Sequence, residues 1–442
     1  MQPRLSRRHL LGQTTAAVGL ALAGAGGARS QTAGRSAATH PALTGSRLYA
    51  DVVRYADFGD HRTATDADVA SSRWLADELR AAGFATELAP WQHQQFFIDA
   101  HRLAVADAVI DSFPLWWPRA TGPEGVNAPL ALLRPDAADG ALRGRIGLVS
   151  TPPVRGLIVP GNGIGDAVEQ AARQSAVGLV MINESPMGEI VALNAMAGLD
   201  PWPIPVLIAG QRDAPALQRA AESGAAASML IDGTLIPDAT AYEVIGRLDR
   251  GGGTIVVSTP SSGWFSCAGE RGPGIAIWLA LARWAASARP DASFCFVASS
   301  GHELDAVGIR QFFEHAAPEP GATRSWLHLG AGIATYAYET GPTGPRQTSR
   351  PDAAARLQTN DAEVLPKLEQ AFGRTTELRP MLTERPGGEM SYMASRGYQV
   401  WGLAGLCALH HMPIDLPARI TGPELLEPVA RASAQALELI TD

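Results

Sequence analysis

The sequence predicts an α/β protein: a mostly parallel, doubly wound sheet with a smaller α/β unit inserted into it. Three observations carry this. From about residue 253 onward, apolar strand-length runs such as "GTIVVSTP" and "ASFCFVASS" alternate with helix-length stretches. Strands that apolar belong to a sheet covered on both faces. A separate alternation of short strands and helices fills residues 125–248. Finally, Ser258-Thr259, Gly301-His302-Glu303, His328 and His410-His411 all follow or end predicted strands. In parallel sheets that edge is where active sites lie.

Each element has its reason. Within residues 49–84, Val69, Trp74, Leu75, Leu79 and Ala82 recur at helical spacing and Gly83 supplies a stop. "ATELAPWQHQQFFIDAHRLAVAD" reads as strands, and the "PLWWP" cluster at 114–118 marks an expected boundary. In 125–248, "LRGRIGLVS" is a strand, "GIGDAVEQAARQSAVGLVMIN" a helix then a strand, and "PWPIPVLIAG" another strand. "RDAPALQRAAESGAAASMLID" repeats helix then strand, and "AYEVIGRLDR" closes the unit. The last part runs "GERGPGIAIWLALARWAASA" (helix), "ASFCFVASS" (strand), "DAVGIRQFFEHAA" (helix), "RSWLHLGAGIA" (strand), "DAEVLPKLEQAFG" (helix) and "YQVWGLAGL" (strand), with a long helix from Pro423.

The first thirty residues read as an export signal. Arg4, Arg7 and Arg8 precede a weakly hydrophobic Ala/Gly/Leu stretch, and Ser6-Arg7-Arg8-His9-Leu10-Leu11 is a twin-arginine pattern of the Tat type. A periplasmic or secreted protein is expected. No later stretch has the ~20 unbroken apolar residues of a membrane span. Net charge is -8, and no basic stripe points to nucleic acid. Cys267, Cys295 and Cys407 are too few and scattered for a disulfide framework.

The order of motifs resembles the M28 family of zinc peptidases, whose α/β domain carries an inserted PA (protease-associated) domain. The likeness covers nearly all of the chain after the signal. It divides the sequence into a signal at 1–30, peptidase-like segments at 31–124 and 249–442, and a PA-like insert at 125–248. The family's H-x-D falls on "STPSS", with Thr259 and Ser261 at the ligand and its orienting acid. Its D-N-x-S-G falls on "ERGPG", G-E-E on Gly301-His302-Glu303, a strand-end Asp on His328, and Y-H-T-P-x-D on "HHMPID". The resemblance implies that Glu270, Glu303 and His411 hold one divalent ion, with zinc the expected metal. It implies His302 in place of the general-base glutamate, with Asp415 behind His411. His328 is expected to add a ligand or hold substrate, and Arg271 to bind a substrate carboxylate bidentately.

Two carboxylates and one imidazole leave a fourth position open, the form of a catalytic mononuclear zinc site. Histidine, with a pKa near 6.5, suits proton transfer at neutral pH. The expected function is hydrolysis of an amide or peptide bond in a peptide or N-acyl substrate. One alternative is a binding protein that has lost its metal. Another is single-zinc acyl transfer or cyclisation, and a third is the same site with Mn, Fe or Ni. Plainer readings stand beside these: Glu270 and Glu303 as helix-start carboxylates, and His328, His410 and His411 as satisfied structural histidines. His61, in "GDHRTAT", could line the same cleft or sit in a polar loop. "SSG" at 261–263 is a weak sign of a nucleophilic serine.

Overall fold

Two long strands, Ala85–Val105 and Ala226–Leu248, pair antiparallel along almost their whole length and tie the architecture together. The computed structural model describes residues 36–153, 163–341, 344–373 and 376–442. The expected export signal lies outside them. Register shifts at His93/Gln95 and Ile98/Ala100 interrupt the ribbon. Such bulges bend and twist a strand pair, so one end can join one sheet and the other end another.

The Glu243–Leu248 end pairs antiparallel with Ser293–Ser299. From there the sheet continues in parallel through Thr254–Pro260, Thr323–Leu329 and Val400–Ala404. Arg356–Thr359 then pairs antiparallel, with Pro380–Leu382 at the edge. The Ala226–Met229 end pairs antiparallel with Val126–Leu132. Parallel strands Ile146–Thr151, Gly178–Asn183 and Val206–Gly210 follow, closed by antiparallel Ser112–Pro114. This is the expected mostly parallel sheet, running on through the strands of residues 126–210.

Alternation along Ser293–Ser299 shows both faces covered. Phe294 and Phe296 pack under the helices Gly272–Ala288, Gly45–Ala56 and Pro423–Thr441. Cys295 and Val297 face the layer of Ile309, Phe312, Met390 and Met393. Gly272–Ala288 is apolar around most of its circumference, Arg283 excepted, with Trp278 and Trp284 wholly buried, as befits a central covering helix. The inserted unit has its own core, and Trp264 and Leu304 from the main sheet's loops reach into it.

Some expectations change. The segment 49–84 holds parts of two helices, Gly45–Ala56 and Asp66–Ala81, separated by a buried turn containing His61 to Thr63. The stretch after Gly83 is one continuous strand. The "PLWWP" cluster is buried in the core: Trp116 and Trp117 are 2% and 1% exposed. All three cysteines are free and buried.

Gly308 packs the helix Val307–His315 against the loop carrying His302. A Cβ there would stand 1.8 Å from the Ser300 carbonyl oxygen and 2.5 Å from Glu243 Oε1. Gly308→Ala is therefore expected to destabilise the fold by about 2 kcal/mol or more, read as a lower urea midpoint at unchanged slope.

Candidate active site

The carboxyl ends of Thr254–Pro260, Ser293–Ser299, Thr323–Leu329 and Val400–Ala404 open onto a cavity of about 380 Å³. His302, His328, Glu389, His410 and His411 line it, with Asn194 from the insert. A larger hollow of about 840 Å³, lined by Arg62, His101 and Arg212 among others, holds none of these groups. The smaller cavity is where the chemistry converges.

Among the described residues, Glu270, His410 and His411 are the one group whose possible ligand atoms all lie within 4.8 Å of one another. His411 Nε2 is 3.2 Å from Glu270 Oε1. Its other nitrogen, Nδ1, is 2.9 Å from the Ala192 carbonyl oxygen, which can only accept, so Nδ1 carries the proton. Its Nε2 thus turns toward a carboxylate oxygen. Only a cation or a proton between two such electron-rich atoms makes that approach favourable. The backbone is locked as well: Ala192 N–H donates to the His411 carbonyl, and His411 has φ +61. His410 stacks on His411 with ring centres 3.9 Å apart.

Glu270 is 1% exposed. Burial alone would raise its pKa, but the charges of Arg271, His411 and His410 hold the carboxyl well below its usual range. Arg271 Nη2 lies 2.7 Å from Glu270 Oε1. That contact is an ion pair without hydrogen-bond alignment, since neither Nη1 nor Nη2 has an acceptor in line. Nε donates to the Ser262 carbonyl. Asp415, behind them, accepts from the Gly269 and Glu270 amides, and its burial pushes its pKa up to about 7.

The fit to one divalent ion can be judged from these atoms. A 3.2 Å separation suits two ligands at ~2.0–2.1 Å around one tetrahedral ion. An imidazole whose far nitrogen donates to a backbone carbonyl is the usual outer arrangement of a ligand histidine. Glu270 and His411 therefore fit, with His410 beside them.

The other expected site residues stand differently. Glu303 is not in the cluster. Its Oε1 accepts from the Thr63 amide and hydroxyl at 2.6 and 2.5 Å, and its Oε2 from Ser262 Oγ at 2.6 Å. That carboxylate is already supplied with protons. Ser262 Oγ in turn accepts from the Gly301 and His302 amides, so Glu303 anchors the turn rather than facing the cavity. His328 is also outside the cluster. Trp326 Nε1 donates to Ser258 Oγ, whose own proton points at His328 Nδ1 2.9 Å away. With Nδ1 the one acceptor paired with that hydroxyl, the contact favours the His328 tautomer protonated on Nε2, which offers a metal no lone pair there. Burial lowers its pKa to about 4, so the ring is neutral near pH 7. Arg271, 1% exposed, does not line the cavity and offers no open face to a substrate carboxylate. Thr259 donates to the Leu329 carbonyl.

His302 does line the cavity. Its Nδ1 lies 2.6 Å from Glu389 Oε1, and its Nε2 has no partner among the described residues. No motif marked Glu389. Its only sequence signal is a glutamate after the glycine pair Gly387-Gly388. His61 is buried, stacked on Tyr55 and bonded through Nε2 to the Tyr55 carbonyl. It takes no part in the cleft.

No family model matches the sequence, and no curated protein does. Solved structures do match. BSAP, a zinc aminopeptidase from Bacillus subtilis, superposes with a TM-score of 0.67 at 16% identity, covering 90% of this chain and 95% of its own. A peptidase M28 precursor from Shewanella amazonensis gives 0.66 at 15%, covering 90% and 96%. An aminopeptidase from Aneurinibacillus sp. strain AM-1 gives 0.59 at 15%, covering 89% and 93%. The chain has the fold of the M28 zinc aminopeptidases.

Burial lowers the His61 pKa to about 4, below the usual value near 6.5. Between those values the unfolded chain binds a proton that the folded one refuses. Stability is thus present above about pH 6.5 and lost as pH falls toward 4, by up to about 1.4 kcal/mol per pH unit. His61→Phe should flatten this slope in urea unfolding measured from pH 7.5 to 4.

Proposed function

We propose that the protein is a hydrolase of peptide or amide bonds that works with one divalent ion, held by Glu270, His411 and His410. The observation that carries this is the 3.2 Å approach of His411 Nε2 to Glu270 Oε1, with the ring's other proton committed to Ala192. The fold of the named zinc aminopeptidases supports it and makes zinc the first metal to test. One ion rather than two is supported by three features: Arg271 on the shared oxygen of Glu270, the hydroxyl of Thr259 turned to Leu329, and the proton on His328 Nε2. A bound ion would supply Lewis acidity toward a carbonyl oxygen. His302, with Nε2 toward the cavity, takes the proton of the attacking water. Export through the twin-arginine segment at residues 6–11, and a PA-like identity for the insert, belong to the same reading.

A second reading has its own observation. The Arg271 guanidinium, a permanent charge at 2.7 Å from Glu270 Oε1, weakens the pull of that carboxylate on a metal. It favours a metal-free binding protein.

Elemental analysis beside a panel of free and N-acylated dipeptides separates the two. The purified wild type is expected to carry close to one equivalent of divalent metal, and His411→Ala to lose most of it. Glu303→Ala should keep its metal but be destabilised by a few kcal/mol, because Thr63 and Ser262 are left with unanswered donors. A wild type that stays empty after incubation with zinc, manganese and nickel, and splits no dipeptide, would establish the binding reading.

A further inference from the structure

Glu389 is 2% exposed, so a carboxylate there must be supplied with hydrogen bonds. Only half of it is. Oε1 receives the proton of His302 Nδ1, while Oε2 has no partner and lies 3.9 Å from His328 Nε2, too far for a hydrogen bond. All three residues line the same cavity. The two rings are held in opposite forms. Glu389 keeps the His302 proton on Nδ1, which leaves a lone pair on Nε2. The chain Trp326 to Ser258 to His328 Nδ1 keeps the His328 proton on Nε2.

We infer that Glu389 is the positioning residue of a histidine acid–base pair, with His302 the proton acceptor and His328 a hydrogen-bond donor to the substrate carbonyl. This rests on the hydrolase reading. As the oxygen of water bonds to the carbonyl carbon, its proton passes to His302 Nε2 and the C=O electron pair moves to the carbonyl oxygen. His328 Nε2–H donates to that oxygen. The carbonyl then re-forms, the C–N bond breaks, and the departing nitrogen takes the proton back from His302. No oxidant or further reactant is required. Glu389 acts through His302: it fixes the ring's tautomer and stabilises the transient imidazolium, the role a carboxylate plays in other His–carboxylate pairs.

Glu389→Gln tests this in the full metal-bearing protein. On whichever dipeptide the wild type cleaves, kcat should fall roughly 100-fold, with KM within about threefold and metal content unchanged. In a His302→Gln background the same substitution should cost less than about twofold, because the effect runs through that ring. Ring ¹⁵N shifts of labelled histidines should show His302 protonated at Nδ1 and His328 at Nε2 in the wild type, with the His302 tautomer mixed in Glu389→Gln. Retained kcat, an undiminished loss in the His302→Gln background, or ring shifts identical in wild type and variant overturn the assignment. A wild type that cleaves no dipeptide counts against the hydrolase reading alone. The ring shifts then decide this one, since they need no turnover.

Discussion

A carboxylate taken out of water must be answered by protons or positive charge, or it will not ionise there. That constraint shapes the whole carboxyl edge of this sheet. Glu270, Glu303, Glu389 and Asp415 are each 1–2% exposed, and each is answered in its own way. Glu303 has three donors from Thr63 and Ser262. Asp415 has two backbone amides and a raised pKa. Glu270 has a guanidinium and an imidazole. Glu389 has one imidazole and an oxygen left over. Two more buried acids nearby, Asp68 and Glu243, are pushed well above the usual carboxylate range by burial and so favour the neutral form. The carboxylates that are fully supplied build the scaffold. Those incompletely supplied by neutral donors, Glu270 and Glu389, stand beside the cavity histidines.

The insert is part of this arrangement. Ala192 sets the tautomer of His411, Ala195 N–H donates to the Glu303 carbonyl, and Asn194 accepts from Trp264 Nε1 while lining the cavity. Trp264 and Leu304 sink into the insert's core. A segment with no chemical signature of its own therefore fixes the proton on a candidate ligand. Packing does this, because a backbone carbonyl delivered from a neighbouring core is a rigid acceptor.

Much of the fold was legible because buried parallel strands must be apolar throughout, as "FCFVAS" and "TIVVST" are. The edge that carries the site follows from the same rule. Part of the site was legible too: Glu270 and His411 meet as the motif order implied. Glu303 and His328 kept suggestive positions but have other partners, Thr63 and Ser262 for one and Ser258 for the other. Spacing along a chain cannot show that a carboxylate is already satisfied by a threonine 240 residues away.

By itself the sequence determined the alternation of strands and helices and the edge where polar residues gather. Periodicity and residue type are local properties, and they survive without coordinates. Only the tertiary structure decided which acceptor or donor each histidine nitrogen meets, which carboxylate has an oxygen to spare, and that Glu389 and His410 stand beside the candidate site. Those depend on donors and acceptors brought within 3 Å or so from distant segments, and hydrogen bonding is blind to distance along the chain.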